Sequence, residues 1–599
     1  MTRYVSTASA ERRGASTPVG TRRLGDYSTD RRVLVLSAAA VLIGLLGALA
    51  ARGLDLLIAL ITNLCWGGRL SFERVAPAAY HPGPFSILIP VVGGLVIGAM
   101  ARWGSPKIRG HGIPEALEAI LIGRSRLDAK VAVLKPVSSA VSIGTGGPFG
   151  AEGPIIMTGG AAGSLFAQLF HLSSAERKTL LVAGAAAGMS AIFAAPIASV
   201  LLAVELLLFE WKPRSFIPVV VASVVSSVAR VPLFGSGGPI FPVPPHTGVS
   251  ASQLLFAGAL GVAGGLASGA LTWAVYFFED AFERLPIHWA WWPAIGGLFV
   301  GVGGLLNPLV LGVGYGTIQD LLLGKLPPHA TANLAVTKGV VWAAALGSGT
   351  SGGVLAPLLM MGASLGSLAS HLLAHSDPGL WAMVGMAAVM GGTMRSPLTA
   401  TFFAAELTHD WSLLPALLVS CVAAYALTVL LLRRSILTEK IARHGHHIFR
   451  EYSVDPFEMH RVGEVMDRKV VAVPTAMSVR ELSSRIGGGD PELARRQGTP
   501  IVDGGGRLVG IVTRSDLMRS LEKDPAGNTA VLDAGTRNPV VAYEDEPIAD
   551  AVARMLDRDI GRLPVVDRAD PARLIGYLGR AGVLAARQKL LEEENVRER

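Results

Sequence analysis

The stretch PIIMTGGAAGSL, Pro154 to Leu165, decides how this chain is read, because it is written again as PLLMMGASLGSL from Pro357 to Leu368. Three further blocks return in the same order. Gly110-His111-Gly112 is matched by Gly312-Val313-Gly314, and APIASVLLAVEL (Ala195–Leu206) by SPLTATFFAAEL (Ser396–Leu407). Lys135 and Lys338 each stand 19 residues ahead of the proline that opens its block, and the offset between copies stays at 201 to 203 residues. An apolar, Gly/Pro-interrupted unit present twice points to a membrane half with a transport site between its copies.

Composition agrees. Of 599 residues, 51% are hydrophobic and only 16% charged, with a mean hydropathy of +0.47; a soluble chain carries about 25% charge. Apolar runs fill residues 33–434, whereas the rest reads as soluble protein. The net charge of +8 is not a nucleic-acid footprint. Arg22, Arg23, Arg31 and Arg32 precede the first apolar run, and Arg433, Arg434, Lys440 and Arg443 follow the last. Basic flanks mark the cytoplasmic side, so the expectation is a multi-pass protein of the plasma (inner) membrane with both termini cytoplasmic. Residues 1–32 read as a disordered basic tail rather than a signal peptide. Cys65 and Cys421 form no disulfide framework. Several apolar runs hold only 12 to 17 residues, too short for a straight crossing of roughly 20. Broken backbone at membrane depth must be buried or line a polar cavity, so these runs mark the working part.

After a linker at 435–461 comes a smaller duplication. Gly498-Thr499-Pro500-Ile501-Val502-Asp503 is echoed by Gly561-Arg562-Leu563-Pro564-Val565-Val566-Asp567, each inside a β-α-β-β-α pattern. This resembles a tandem pair of CBS domains, at 462–525 and 526–589, with a charged tail at 590–599. The turn around Thr513, Ser515 and Asp516 fits that family's ribose- and phosphate-contacting position; the second copy, Gly579-Arg580-Ala581-Gly582, has lost the hydroxyl and the acid. The resemblance therefore implies at most one adenine-nucleotide site per chain. His444, His446 and His447 are read as a solvated linker, and no metal site is expected.

Three loops carry the chemistry: Gly110-His111-Gly112-Ile113-Pro114, Gly150-Ala151-Glu152-Gly153-Pro154 and Gly353-Val354-Leu355-Ala356-Pro357. Each places glycines for close backbone approach, then a proline suited to a first helical turn. Helix starts offer unpaired N–H groups and partial positive charge, a ready anion site. Glu152 is an ionisable residue inside such a segment, a functional candidate by default. Its carboxylate can fill the anion path when ionised and leave it when protonated.

On these loops the chain resembles the CLC family of chloride channels and chloride/proton exchangers, from about Arg32 to Lys589. The resemblance implies an all-α polytopic membrane domain of two inverted repeats (about 86–234 and 291–432) with many broken or tilted helices, followed by a cytosolic α+β CBS pair. It also implies a homodimer, joined through membrane and CBS domains, with one pore per subunit. It implies gating by Glu152 and anion coordination around His111, Gly112, Ile113, Gly150, Ala151, Gly153, Val354 and Leu355, with Leu437 at the position of a coordinating tyrosine. Chloride, or a similar small inorganic anion, is the implied substrate. No cofactor is required, though adenine nucleotide is a candidate CBS ligand.

Four departures stand out. His111 replaces the usual serine, Leu355 the usual phenylalanine and Leu437 the tyrosine. Leu206 stands where exchangers carry the inner proton-relay acid. An aliphatic cannot carry a proton, so the reading taken is a passive channel, with chloride/proton antiport as the alternative. A membrane-anchored CBS nucleotide sensor is the alternative from another class. No nucleophile–base pair, metal set or phosphate loop marks an enzyme.

Overall fold

Glycine and proline decide where the membrane helices begin and stop. The computed structural model describes residues 31–585 except 236, 247, 373–376, 444, 446–459 and 495. The basic tail up to residue 30, the His444/His446/His447 cluster and the 590–599 tail lie outside the described residues.

Among the described residues, six helical stretches are long and apolar enough to cross a membrane: Arg32–Gly67, Pro84–Trp103, Pro213–Phe234, Ala251–Glu283, Trp289–Leu306 and Leu414–Arg443. Between them lie further elements that recur in order. Ile113–Leu121 answers to Tyr315–Leu322, Ala129–Gly144 to Pro328–Gly347, and Glu152–Leu169 to Leu355–Ser370. Likewise Ser174–Phe193 answers to Pro378–Met394 and Pro196–Leu202 to Pro397–Thr408. The duplication read in the sequence is thus a duplication of elements.

The centre of each copy is held by glycines. Gly159 faces Gly184 across the helix pair of copy one, and Gly362 faces Gly385 in copy two; a Cβ on any of them would strike the opposite backbone carbonyl. Small residues let helix backbones approach in lipid, where van der Waals packing replaces the hydrophobic drive. Ser174–Phe193 and Pro378–Met394 are buried nearly all round, so neither shows the apolar stripe of a surface helix.

The CBS pair forms two small sheets. In the first, strand Val473–Pro474 lies parallel to Gly498–Val502, which pairs antiparallel with Leu508–Thr513, and Thr536–Arg537 closes the edge. In the second, Ala542–Tyr543, Arg562–Val566 and Leu574–Gly579 repeat that order. The packing does not follow the linear division at 525/526. Val462 and Met466 join the core of the second copy, while Val531 joins that of the first. Each copy's leading segment crosses to the other, so the two are mutually dependent.

Candidate functional site

The first two Gly-rich loops and the start of Leu355–Ser370 meet backbone to backbone. Gly110 and Gly112 have φ of 83° and 93°, and their counterparts Gly312 and Gly314 have 67° and 79°, a region open to glycine at little cost. A Cβ on Gly112 would run into the Gly153 backbone, and one on Gly153 into the His111 carbonyl. Gly150 and Gly353 form an antiparallel bridge, with Gly150 N–H donating to Gly353 O at 3.2 Å and Gly353 N–H to Gly150 O at 2.9 Å. The chain therefore runs in opposite directions through equivalent loops of the two copies.

Two buried lysines fix this geometry. The Lys135 ammonium donates to the carbonyls of Ile108 (2.8 Å) and Gly110 (2.7 Å). Lys338 does the same to Val310 (2.8 Å) and Gly312 (3.1 Å).

The Glu152 carboxylate is fully buried and lies between Gly150 and Gly353, in the space where a Cβ on either would sit. It accepts a short hydrogen bond from Leu355 N–H, the first residue of helix Leu355–Ser370. Its other oxygen has no partner among the described residues. The acid of copy one thus occupies the helix start of copy two. Not every amide expected to face an anion does so. The Gly112 amide is taken by Glu115 Oε2 (2.7 Å), and that of Gly150 by Gly353. Both glycines shape the crossing instead, because only a residue without Cβ permits such close approach.

His111 lines a cavity of about 580 Å³ with Gly110, Glu115, Tyr276 and Lys440, and Glu152 is not part of its wall. His111 is 3% exposed, and its Nδ1 has no partner among the described residues. Glu115 ties the first loop to helix Ile436–Arg443 through Lys440 at 2.5 Å. Arg109, next to the loop, lies 4.9 and 5.5 Å from the ring centres of Trp289 and Trp292. Leu437 is wholly buried and is not among the cavity-lining residues; its aliphatic side chain offers an anion no donor. A phenol does reach this place from another helix: Tyr276 donates to the Ile436 carbonyl at 2.6 Å. Tyr276 was not legible from the sequence, since it stands in a long apolar run far from every motif.

Helix Pro196–Leu202 widens into a π-helical turn, Ala203–Leu208, closed by Phe209 N–H on Val204 O at 3.1 Å. Leu206 is fully buried there. Its neighbour Glu205 turns away and accepts from the amides of Leu398 (3.2 Å) and Thr399 (2.8 Å) at the start of Pro397–Thr408. Glu406 returns the contact, accepting from Ile197 (2.9 Å) and Ala198 (2.8 Å). Each copy's acid caps the other copy's helix, which satisfies orphan amides and complements the dipole.

A family model described as voltage gated chloride channel matches residues 93–429, and CBS domain models match 462–523 and 531–589. The chain belongs to the CLC family. The voltage-gated ClC-type chloride channel ClcB of Salmonella typhimurium is 31% identical over 424 residues, covering 69% of this chain and all of that one. A putative chloride channel protein, ClcB-like, of Ralstonia nicotianae is 31% identical over 361 residues, covering 59% of this chain and 84% of its own length. Among solved structures, a slow cyanobacterial Cl⁻/H⁺ antiporter superposes with a TM-score of 0.62 at 23% identity over 70% of this chain and 99% of that one. A eukaryotic CLC transporter gives 0.60 at 20% identity over 92% and 98%. At such identities these two likenesses speak for the fold alone. The protein is an integral membrane member of the CLC family with an appended CBS pair.

In the CBS pair of this CLC protein, Thr513 and Asp516 are brought together but hold each other. Thr513 Oγ1 donates to Asp516 Oδ2 (2.6 Å), as does the Thr513 amide (2.9 Å), and the Asp516 amide returns to Thr513 Oγ1 at 3.3 Å. This capping box starts helix Arg514–Lys523, while Ser515 is exposed.

Proposed function

We propose that this CLC protein conducts chloride, or a similar small inorganic anion, passively through a pore in each subunit of a homodimer, with Glu152 as the gate. The observation that carries the reading is the Glu152 carboxylate seated on the Leu355 amide. A carboxylate at that helix start is an intramolecular stand-in for the permeant anion, and protonation removes its charge and frees the site. Two features support passage without a fixed lysine or arginine at the helix starts. The donor to the carboxylate is a backbone amide, and the buried lysines are turned onto carbonyls, which keeps the well shallow enough for the ion to leave. Passive flow rather than proton exchange is supported by Leu206, buried and untitratable, and by Glu205, whose carboxylate is committed to a helix start in the other copy.

The test is simultaneous chloride and proton flux in proteoliposomes. A chloride gradient is expected to move chloride without uphill proton movement, with a reversal potential that follows chloride alone. Proton pumping at a fixed anion-to-proton ratio overturns passive flow; absence of anion flux overturns anion transport itself and favours a nucleotide-sensing anchor. Adenine nucleotide at the CBS pair is part of the same proposal, at most one site per chain through Thr513, Ser515 and Asp516. Calorimetry on the full chain with ATP tests it, since Asp516→Ala is expected to abolish binding.

A further inference from the structure

The loop that leaves copy one, between helices Pro213–Phe234 and Ala251–Glu283, carries a histidine held from both sides. His246 Nδ1 lies 2.5 Å from Asp410 Oδ2, and its Nε2 lies 3.1 Å from Asp377 Oδ2. Both carboxylates have other donors. Asp410 Oδ1 accepts from the Ser412 amide (3.1 Å) and hydroxyl (2.5 Å), and its Oδ2 also accepts from the His246 amide (3.2 Å). Asp377 Oδ1 caps helix Pro378–Met394 through the Gly379 amide at 2.8 Å. These donors mark both acids as ionised acceptors. A carboxylate only accepts, and a neutral imidazole has a single N–H, so the two contacts together require the imidazolium.

The residues ahead of His246 form a stiff strap, because Pro239, Pro242, Pro244 and Pro245 fix φ at four positions. Phe241 is 1% exposed, donates its amide to Leu407 O at 2.9 Å, and meets the Tyr315 ring at 5.8 Å between centroids. The Gln319 side chain donates to the Pro242 carbonyl at 2.6 Å. Tyr315 opens the helix that answers, in copy two, to the one opening at Ile113. In copy one the loop ahead of that helix lines the cavity; in copy two the strap lies on the helix start. The strap stands on the face opposite the CBS pair. Helix Ala251–Glu283 begins five residues after His246 and runs for 33, about 50 Å, more than the roughly 30 Å of a hydrocarbon core. Near its far end Asp280 pairs with Arg443, the last residue of the helix that leads into the CBS pair.

We infer that His246, Asp377 and Asp410 form a proton-operated clasp that fastens the 239–246 strap over the copy-two helix start, on the face away from the CBS pair. With His246 charged, the strap is tied both to the segment after Pro397–Thr408 and to the start of Pro378–Met394. Loss of the proton leaves one N–H. It stays on Asp410, whose side chain is 3% exposed, while Asp377, 56% exposed, turns into water. The downstream end of the strap is then held by one acid instead of two. Asp377 and Asp410 are the charged groups against His246 among the described residues. Around them, His409 is exposed beside Asp410, and Asp320 and Lys325, ahead of and behind the turn that packs on Pro378, pair with each other at 3.1 Å. These three stand outside the hydrogen bonds of the clasp.

The full-length protein in nanodiscs, carrying Cys65→Ser and Val243→Cys, tests this. Val243 is a half-buried strap residue packed on the core, and the one native thiol left, Cys421, is buried. Labelling by a charged methanethiosulfonate is measured with and without His246→Ala, at about pH 5.5 and about pH 8.5, on either side of the imidazole charge change. The ratio of the two rates cancels the thiol's own ionisation. With His246 present, labelling is expected to be about fivefold slower than in His246→Ala at the acid pH, the effect of one net hydrogen bond, and within about twofold of it at the alkaline pH. Asp377→Asn keeps the cap on Gly379 but turns the second oxygen into an NH₂ donor, which pairs with a neutral Nε2. It is therefore expected to reverse the order, protecting the strap thiol at alkaline pH and exposing it at acid pH. A purely structural contact predicts equal protection at both pH values; that result, or an Asp377→Asn protein that keeps the original order, overturns the clasp. Labelling needs no ion flux, so failure of the clasp and failure of the anion-transport reading are separate results.

Discussion

The two copies of the membrane unit share their scaffold and differ in their chemistry. Both place a lysine on the carbonyls of the first loop, at 2.7–2.8 Å in one and 2.8–3.1 Å in the other. Both bury two glycines against each other at the same depth, and both use an acid to cap the partner copy's helix. Yet His111 of copy one faces Val313 in the alignment of copies, and Glu152 faces Leu355. Symmetry builds the crossing of helix starts. Asymmetry supplies one titratable group to occupy it, and two equivalent carboxylates in the same space would repel.

The largest test of that contrast is at Glu152. A hydrogen bond to a charged group contributes about 1.5–3 kcal/mol, and each 1.4 kcal/mol is a factor of ten in rate. Glu152→Ala, and Glu152→Gln to a lesser degree, should therefore raise anion flux by about tenfold or more. In the wild type, protonation removes the blocking charge, so flux should rise as pH falls; in both variants this dependence should flatten. Unchanged flux and pH response in liposome efflux assays would take the gate away from Glu152.

The lysines come next, where the copies are expected to behave alike. Lys135→Met strands the carbonyls of Ile108 and Gly110, and Lys338→Met those of Val310 and Gly312, at a cost of about 2–4 kcal/mol each. Thermal unfolding in detergent should show comparable losses. A silent Lys338→Met would break the symmetry of the scaffold.

His111→Ser should act on selectivity rather than stability. The exchange removes a buried imidazole at the cavity wall and opens room for a hydroxyl. Relative permeabilities of chloride, bromide and nitrate should shift by severalfold, and an unaltered sequence would remove His111 from the ion path. Smallest are the reciprocal caps. Glu205→Gln and Glu406→Gln keep one acceptor oxygen, so each should cost no more than about 0.5–2 kcal/mol, without proton-flux consequences. If Glu205→Gln altered the chloride reversal potential, Glu205 would be a proton carrier and not a cap.

Much of this was legible in the chain itself. Repetition at a constant offset gave the two-copy membrane unit, since a duplicated backbone needs the same glycines, prolines and lysines in the same order. The helix starts followed from Gly-x-x-x-Pro chemistry, and Glu152 from being a charge where charge is costly. Contacts between copies were not legible, because they join residues about 200 positions apart with no local pattern.

The sequence by itself determined the membrane class, the duplication and the loops at which helices start, all of which depend on local backbone preference and burial of apolar surface. Only the tertiary structure decided which amide each group takes. It placed the Glu152 carboxylate on Leu355, gave the Gly112 amide to Glu115, crossed the caps of Glu205 and Glu406, and exchanged the leading segments of the CBS pair. It also set His246 between Asp377 and Asp410. Hydrogen bonds and charge pairs act over a few ångströms in space, so their partners are set by how the two copies pack.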